Sequence, residues 1–159
     1  AKDHLESTAF KITEGLANIG GKAFVSVNKA LVTQASSAIP VIPLYISLLY
    51  KIMKAKGTHE GCIEQIQRLF SARLYTNAAV PVDEKGRIRI DDWEMNTDVQ
   101  KEVAELWKVA TTENLPAIGD LNGYKSDFIN LFGFGIDGVD YALESNEMVE
   151  IPGLITVEK

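Results

Sequence analysis

The sequence predicts part of an α/β protein, and three observations carry this prediction. A short run of β-branched and aromatic residues, residues 22–28, is typical of a buried strand. Four or five helical patterns surround this run, and the length of 159 residues suits one domain. Because a single strand cannot form a sheet, we expect the other strands to come from another part of a larger α/β protein.

The composition excludes several classes of function. The chain has 16 Lys and Arg against 22 Asp and Glu, a net charge of −6, and no basic patch, so we expect neither nucleic acid nor a membrane as a partner. The longest apolar stretch, residues 38–50, contains two prolines and is too short to span a bilayer. The single cysteine, Cys62, permits neither an internal disulfide nor a multi-cysteine metal site, and a cytoplasmic location is expected.

The first third of the chain is predicted to run helix, strand, loop, helix. Apolar residues at three- and four-residue steps indicate a helix over residues 2–18, which Gly20 and Gly21 would end. The buried strand follows, and then a loop of small residues with two prolines. Residues 44–56 are apolar on most sides, gain lysines towards their end and stop at Gly57, the pattern of a second, largely buried helix.

A third helix is predicted after Thr58, which resembles an N-cap. Its apolar residues are expected to form a stripe that faces the core, with the polar residues opposite. The stripe consists of Cys62, Ile63, Ile66, Leu69, Phe70 and Leu74. The polar face consists of Glu64, Gln67, Arg68 and Ser71. On this assignment Cys62 is a small core residue rather than a nucleophile.

The second half of the chain is predicted to be mainly helical. Residues 80–90 alternate in polarity and contain Pro81, which predicts a short exposed hairpin or an irregular surface arm. Helices are expected at residues 97–110 and 120–132. The last residues, 135–159, are expected to form a tail over the surface.

Several short motifs are better explained by ordinary structure than by chemistry. His59 and Glu60 begin like a zinc-binding H-E-x-x-H motif, but Ile63 takes the place of the second histidine, so no metal site is expected. The presence of an acidic residue at position 60 is explained by its place near the start of a helix, where a negative charge interacts favourably with the helix dipole. The glycines of residues 133–138 spell G-x-G-x-x-G after a helix, which favours a helix stop over a nucleotide loop. Lysines such as Lys29 are expected on a solvated face.

Four segments carry a close resemblance to a known family. They are residues 23–33 (AFVSVNKALVT), residues 39–45 (IPVIPLY), residues 57–65 (GTHEGCIEQ) and residues 89–94 (RIDDWE). These segments resemble the carboxy-terminal portion of the FabV-type trans-2-enoyl reductases. The resemblance covers nearly the whole chain.

The resemblance implies a Rossmann-type, short-chain dehydrogenase-like fold, of which residues 1–159 are the helix-rich carboxy-terminal part. It implies that residues 2–56 end the nucleotide-binding core with a substrate-binding helix. Residues 57–134 would be a helical region with a short β arm near residues 80–90, followed by the tail at 135–159. The implied cofactor is NADH, and the implied substrate is an enoyl-CoA or enoyl-[acyl-carrier-protein], reduced to the saturated thioester in fatty-acid synthesis. The expected partner is the missing amino-terminal half of the same protein.

The resemblance also implies roles in catalysis and cofactor binding. Lys2 matches the catalytic lysine of the family's Y-x8-K motif, whose tyrosine would precede residue 1. Lys2 would hold cofactor ribose hydroxyls and favour the working state of that tyrosine. Leu31, Val32 and Thr33 match a segment that holds the nicotinamide amide in the broader superfamily, although the Pro-Gly of that segment is missing here.

A substrate-binding helix is implied as well. Ile42, Ile46 and Tyr50 match the helix that closes over the acyl chain in this family. Their four-residue spacing fits an ordinary core equally well. The hydroxyl of Tyr50 is not a catalytic candidate, because the family also uses phenylalanine at this position.

An alternative interpretation is a non-catalytic helical binding module or an inactive fragment. It is motivated by the catalytic tyrosine and the glycine-rich cofactor loop, neither of which these residues contain. Such a module would be a well-folded monomer that binds a partner without NADH. Half of a sheet, in contrast, would be poorly soluble or would associate with its complement.

Overall fold

The structure, a computed structural model, describes residues 1–146 and 152–153. These residues form seven α-helices and two strands. The helices are α1 (Lys2–Gly15), α2 (Gln34–Ser37), α3 (Ile42–Ala55), α4 (Cys62–Leu69), α5 (Thr97–Val109), α6 (Leu115–Ile118) and α7 (Leu121–Asn130). The strands are β1 (Val25–Val27) and β2 (Arg87–Arg89). A 3₁₀ turn (Ala17–Ile19) follows α1, and a π-helical turn (Phe70–Leu74) extends α4.

The two strands pair in parallel and so form a sheet within this chain. Val25 lies opposite Arg87, and Ile88 and Ile90 are almost completely buried. The prediction of an exposed hairpin or surface arm is therefore wrong for residues 87–90, whereas residues 80–86 are irregular and mostly exposed as predicted. The expectation that β1 finds its sheet partners only elsewhere is also wrong. The alternating pattern indicates that one face of the strand is buried. It gives no information about a partner strand that lies about sixty residues away in the sequence.

The central helix of the fold is α3. Its side chains from Ile46 to Tyr50 are buried, and it packs against both α5 and α7. The carbonyl oxygen of Ser47 accepts the N–H of Asp120 at 2.8 Å, and Lys54 pairs with the Asp120 carboxylate at 2.6 Å. These bonds fix the start of α7 against α3. The predicted helices at residues 44–56, 97–110 and 120–132 are confirmed to within a few residues.

Helix α4 turns a different face to the core from the one expected. Gln65 and Leu69 are buried, whereas Cys62 is exposed and the Ile63 side chain is 76% exposed. The apolar stripe predicted to face the core therefore points largely outwards, and Cys62 is not a core residue. The helix is also preceded by Gly61 as its N-cap and not by Thr58.

Arg68 explains why α4 has this orientation. Its guanidinium group donates to both carboxylate oxygens of Glu60 at 2.7 Å, to Asp92 at 2.7 Å and to the carbonyl oxygen of Ile90 at 2.6 Å. It also lies 4.2 Å from the ring centre of Trp93. The polar face of α4 is thus drawn inwards to β2 by charge-assisted hydrogen bonds. Glu60 is 6% exposed, so its interpretation as a helix-start charge alone is wrong.

The carboxy-terminal part of the described chain consists of the end of α7 and an exposed, irregular segment. Helix α7 ends before Gly133, whose φ of 77° is typical of a helix stop, as the glycine motif predicted. Residues 135–146 are exposed and form neither helix nor strand. The rest of the predicted tail, apart from residues 152–153, lies outside the described residues. Within the described part of the chain, no helix is both long and apolar enough to cross a bilayer.

Candidate active site

The loop between β1 and α2, residues 28–33, is fixed by buried side chains from distant parts of the chain. The backbone N–H of Lys29 donates to Gln65 at 2.8 Å, and the N–H of Ala30 donates to Glu94 at 2.7 Å. Gln65 is 2% and Glu94 is 6% exposed. The backbone is therefore held at the carboxyl end of a parallel strand, the edge at which open α/β sheets bind ligands.

Thr33 ends this loop and caps α2. Its hydroxyl oxygen accepts the N–H of Ser36 at 3.0 Å, while the N–H of Thr33 donates to the Ser36 hydroxyl at 2.8 Å. This reciprocal pair is a capping box. Thr33 itself is exposed, and its hydroxyl proton is available in addition to the bond it accepts.

The structure brings the predicted cofactor segment and the predicted substrate helix together. The Val32 side chain is buried in one apolar cluster with Ile46 and Tyr50, and Ile42 packs at the edge of that cluster. Leu31 lies beside it, partly exposed. Six of the seven predicted site residues therefore share one region, although the contacts of Ile46 and Tyr50 are also those of core residues.

Lys2 lies apart from these residues, at the first position of α1. Thr13, near the end of α1, exchanges hydrogen bonds with Ala23 before β1, whereas Glu6 reaches Arg87, which lies opposite Val25. Helix α1 therefore runs antiparallel to β1. Its exposed first residue, Lys2, lies towards the carboxyl end of the strand, on the side of the loop at residues 28–33.

Cationic and aromatic groups surround the ring of Tyr50. The ammonium groups of Lys29 and Lys54 lie 4.7 and 5.3 Å from its centre, and the His59 ring stands edge-on at 4.4 Å. Lys29 is 3% exposed, so the prediction of a solvated lysine is wrong. Burial lowers the pKa of Lys29 to about 8, although the nearby carboxylate of Glu94 acts in the opposite direction.

A cleft of about 440 Å³ opens beside this cluster. Leu31, Val32 and Tyr50 line one side of the cleft. Its other sides include Cys62 at the start of α4 and Asp127 of α7. The hydroxyl of Tyr50 is buried without a hydrogen-bond partner among the described residues. Burial and the neighbouring Asp127 raise the pKa of this phenol above its usual range. The cleft thus offers apolar walls with few polar groups, which suits a chain-like apolar ligand.

His59 should make the stability of the fold depend on pH. Burial, with the positive charges of Lys29 and Lys54, lowers its pKa to about 4. The unfolded chain takes up a proton on this residue near pH 6.5, whereas the folded chain does not, so stability should fall as the pH drops from 6.5 to 4. The measurement is the urea midpoint across this range for the wild type, for His59→Gln and for His4→Gln.

The His4→Gln variant is the matched control, because His4 lies exposed on α1. We expect His59→Gln to flatten the decline in the midpoint and His4→Gln to leave it unchanged. Equal slopes of the midpoint against pH for the wild type and His59→Gln would contradict the assignment of a partly buried, neutral imidazole to His59.

Sequence reasoning missed the residues that hold the loop. Gln65 is one of several polar residues in a predicted amphipathic helix, and Glu94 is one of several acidic residues in a short run, so neither residue stands out in the sequence. For Glu94 one signal was present, because it follows β2 by a few residues and the carboxyl ends of parallel strands meet at one sheet edge. For Gln65 the sequence held no such signal.

The comparisons with known proteins agree on one family. A family model described as trans-2-enoyl-CoA reductase catalytic region matches residues 1–75, and one described as enoyl reductase FAD binding domain matches residues 82–144. An enoyl-[acyl-carrier-protein] reductase [NADH] of Flavobacterium psychrophilum is 72% identical over 98% of this chain and 39% of that protein. The protein of the same description from Flavobacterium johnsoniae is 73% identical over 97% of this chain and 39% of its own length.

A solved structure supports the same assignment. The Treponema denticola trans-2-enoyl-CoA reductase in complex with NAD superposes with a TM-score of 0.85 at 51% identity, over 94% of this chain and 38% of that chain. The parallel strands and their helical crossover define an α/β protein. More particularly, the chain belongs to the trans-2-enoyl reductase family. It spans about two fifths of the length of the curated relatives it matches.

Proposed function

We propose that the protein containing this chain reduces the trans-2 double bond of enoyl thioesters with NADH. The observation that carries the proposal is the contact of Val32, in the loop after β1, with Ile46 and Tyr50 of α3, within residues that match a reductase catalytic region. The thioester would be an enoyl-CoA or an enoyl-[acyl-carrier-protein], the two substrates that the names of the relatives print. The fold of the complete protein would be of the Rossmann type.

The cofactor-binding role falls to Lys2 and to Leu31, Val32 and Thr33. When bound, NADH supplies a hydride to the β-carbon of the enoyl thioester, and a proton completes the α-carbon. The loop backbone and the Thr33 hydroxyl would hold the nicotinamide amide. Lys2 would hold ribose hydroxyls and, through its positive charge, make the neutral phenol of a tyrosine supplied by the remainder of the protein a stronger hydrogen-bond donor. That tyrosine would stabilise the enolate oxygen that develops in the reaction.

The substrate role falls to α3. Ile42, at the partly exposed edge of the cluster, would contact the acyl chain, and the completely buried Ile46 and Tyr50 would support this wall from behind, so that water is excluded from the double bond. The cleft of about 440 Å³ beside Tyr50 has room for part of such a chain. Besides the cofactor loop, this chain would therefore contribute an apolar wall that holds the substrate in a fixed orientation.

FAD does not fit the strand-to-helix segment within the residues that the second family model matches. A dinucleotide phosphate needs a glycine-rich turn between a strand and a helix, so that the backbone can approach closely. The segment between β2 and α5, residues 90–96, contains no glycine and carries the carboxylates of Asp91, Asp92 and Glu94. Without a glycine turn this segment gives a diphosphate no close approach to the backbone, and we assign no flavin step to this chain.

The proposal extends to location and assembly. The unpaired Cys62 fits a reducing compartment, and we propose the cytoplasm. The partner of this chain would be the rest of the same reductase, which would continue the two-stranded sheet.

Thr33 offers a direct test of the proposed cofactor site. In the full-length reductase, Thr33→Val should raise the KM for NADH about tenfold, because a hydrogen bond to the nicotinamide amide is lost. Thr33→Ser keeps the hydroxyl and should leave the KM near that of the wild type. The measurement is the decrease in NADH absorbance with a trans-2-enoyl thioester, and equal KM values for Val and Ser would contradict the role of Thr33.

A further inference from the structure

A single buried carboxylate joins the loop after β1 to helix α3. One oxygen of Glu94 accepts the N–H of Ala30 at 2.7 Å, and its other oxygen accepts the phenol of Tyr45 at 2.6 Å. Ala30 precedes the proposed cofactor segment, and Tyr45 lies on the proposed substrate helix. Glu94 belongs to neither element, because it follows β2.

The surroundings hold this carboxylate in place. Gln100 of α5 donates from its side-chain nitrogen to the Tyr45 hydroxyl at 3.1 Å and to the carbonyl oxygen of Glu94 at 2.8 Å. Tyr45 is half-buried and packs against two apolar clusters. Burial and the bond to Glu94 raise the pKa of the Tyr45 phenol above its usual range, so the hydroxyl stays a donor.

Lys29 adds charge to the same junction. Its ammonium donates to the carbonyl oxygen of Ala30 at 3.0 Å, so the two peptide groups that flank Ala30 are held by Lys29 on the carbonyl side and by Glu94 on the N–H side. The side chains of both charged residues are almost completely buried. A loop that served only to connect β1 with α2 would need no such pair, because its peptide groups could bond to water.

We propose that Glu94 is a positioning residue that sets the cofactor loop and the substrate helix in register with each other. The proposal rests on the proposed function and deepens it. Hydride transfer requires the two reacting carbons to approach to about 3–3.5 Å, so an error in the relative placement of loop and helix would slow the reaction. Glu94 touches neither reacting molecule and acts through Ala30 and Tyr45.

The geometry requires two acceptors, and only a carboxylate supplies both. A glutamine at position 94 could accept from Ala30, but its amide nitrogen would then face the Tyr45 hydroxyl, which already accepts from Gln100. The phenol proton would lose its acceptor, or the Ala30 N–H would lose its own. A buried donor without a partner weakens the junction on one side.

The test uses three variants of the full-length reductase. Glu94→Met supplies an acceptor to neither Ala30 nor Tyr45, so it should raise the Kd for NADH about tenfold and also raise the KM for the thioester. Tyr45→Phe keeps the bond between Glu94 and Ala30, so it should leave the Kd for NADH within about twofold and raise the KM for the thioester alone. Asp91→Asn is the matched control, because Asp91 is equally buried and its carboxylate pairs with Arg89 instead of the loop.

Two measurements on each variant separate the outcomes. NADH affinity is measured by fluorescence titration without substrate, and the thioester KM is measured at saturating NADH. The proposal is overturned if Glu94→Met matches Asp91→Asn, or if Tyr45→Phe weakens NADH binding as much as Glu94→Met does. A general loss of stability would not produce the split between the two constants in Tyr45→Phe.

Two further results keep the interpretation unambiguous. If Glu94→Met does not fold, Glu94→Asp replaces it, since this variant retains the charge but is one methylene too short to reach both partners. The same increase in the NADH Kd is then expected, and an unchanged Kd overturns the proposal. Failure of the wild type to bind NADH would instead refute the proposed function, which is measured first.

Discussion

Replacing Lys2 by alanine in the full-length reductase should lower kcat by at least about 10²–10³-fold, the usual effect of removing one electrostatic contact to a developing oxyanion. The loss arises because the neighbouring tyrosine would no longer have a cation that favours its working state. Lys2 is exposed at the start of α1, so the substitution should leave the fold intact. The measurement is NADH oxidation with a trans-2-enoyl thioester at saturating concentrations of both.

The matched control for this experiment is Lys11→Ala. Lys11 is an exposed lysine of the same helix, and its loss should leave kcat unchanged. Unfolding midpoints of both variants should equal that of the wild type. If Lys2→Ala turns over at the wild-type rate, the catalytic role of Lys2 is contradicted. The roles proposed for the other site residues do not depend on that result.

Replacing Arg68 by methionine should cause a large loss of stability. The change leaves the carboxylate of Glu60 buried without its partner, and breaking a buried ion pair in this way typically costs about 3–5 kcal/mol. It also removes the bond to the carbonyl oxygen of Ile90, which follows β2. The measurement is the urea unfolding midpoint of the full-length protein.

Two variants distinguish this cause from a general effect of losing a positive charge. Lys108→Met breaks the exposed pair with Glu105 and should leave the midpoint unchanged. Glu60→Gln added to Arg68→Met should recover part of the loss, because the uncompensated charge is removed with it. A midpoint for Arg68→Met equal to that of Lys108→Met would show that the ion pair contributes no stability.

The helices of the fold could be predicted because their signals are local. Glycines, prolines and apolar spacing indicate α1, α3, α5 and α7, and the structure has each of them. The orientation of α4 could not be predicted in the same way. Its apolar stripe is outward because Arg68 bonds to Glu60 and Asp92, and the position of Asp92 depends on β2. Hydrophobic periodicity contains no information about such partners.

The residues of the site also divide into those that could be predicted from the sequence and those that could not. The segment at residues 31–33 and the residues of α3 were found from the family resemblance, and the structure places them side by side. Lys29 was expected on the surface, since a lysine is buried only where the fold supplies specific partners. Its aromatic neighbour Tyr50 and the carboxylate of Glu94 lie far away in the sequence. Only the three-dimensional arrangement shows that they meet.

The most direct test of the central claim is the fate of deuterium from NADH labelled at its transferable position. The full-length reductase is mixed with this NADH and a trans-2-enoyl thioester, and the product is analysed by mass spectrometry. The account predicts a saturated acyl thioester with one deuterium at the β-carbon. Absence of the saturated product, or a saturated product with no deuterium at the β-carbon, would contradict it.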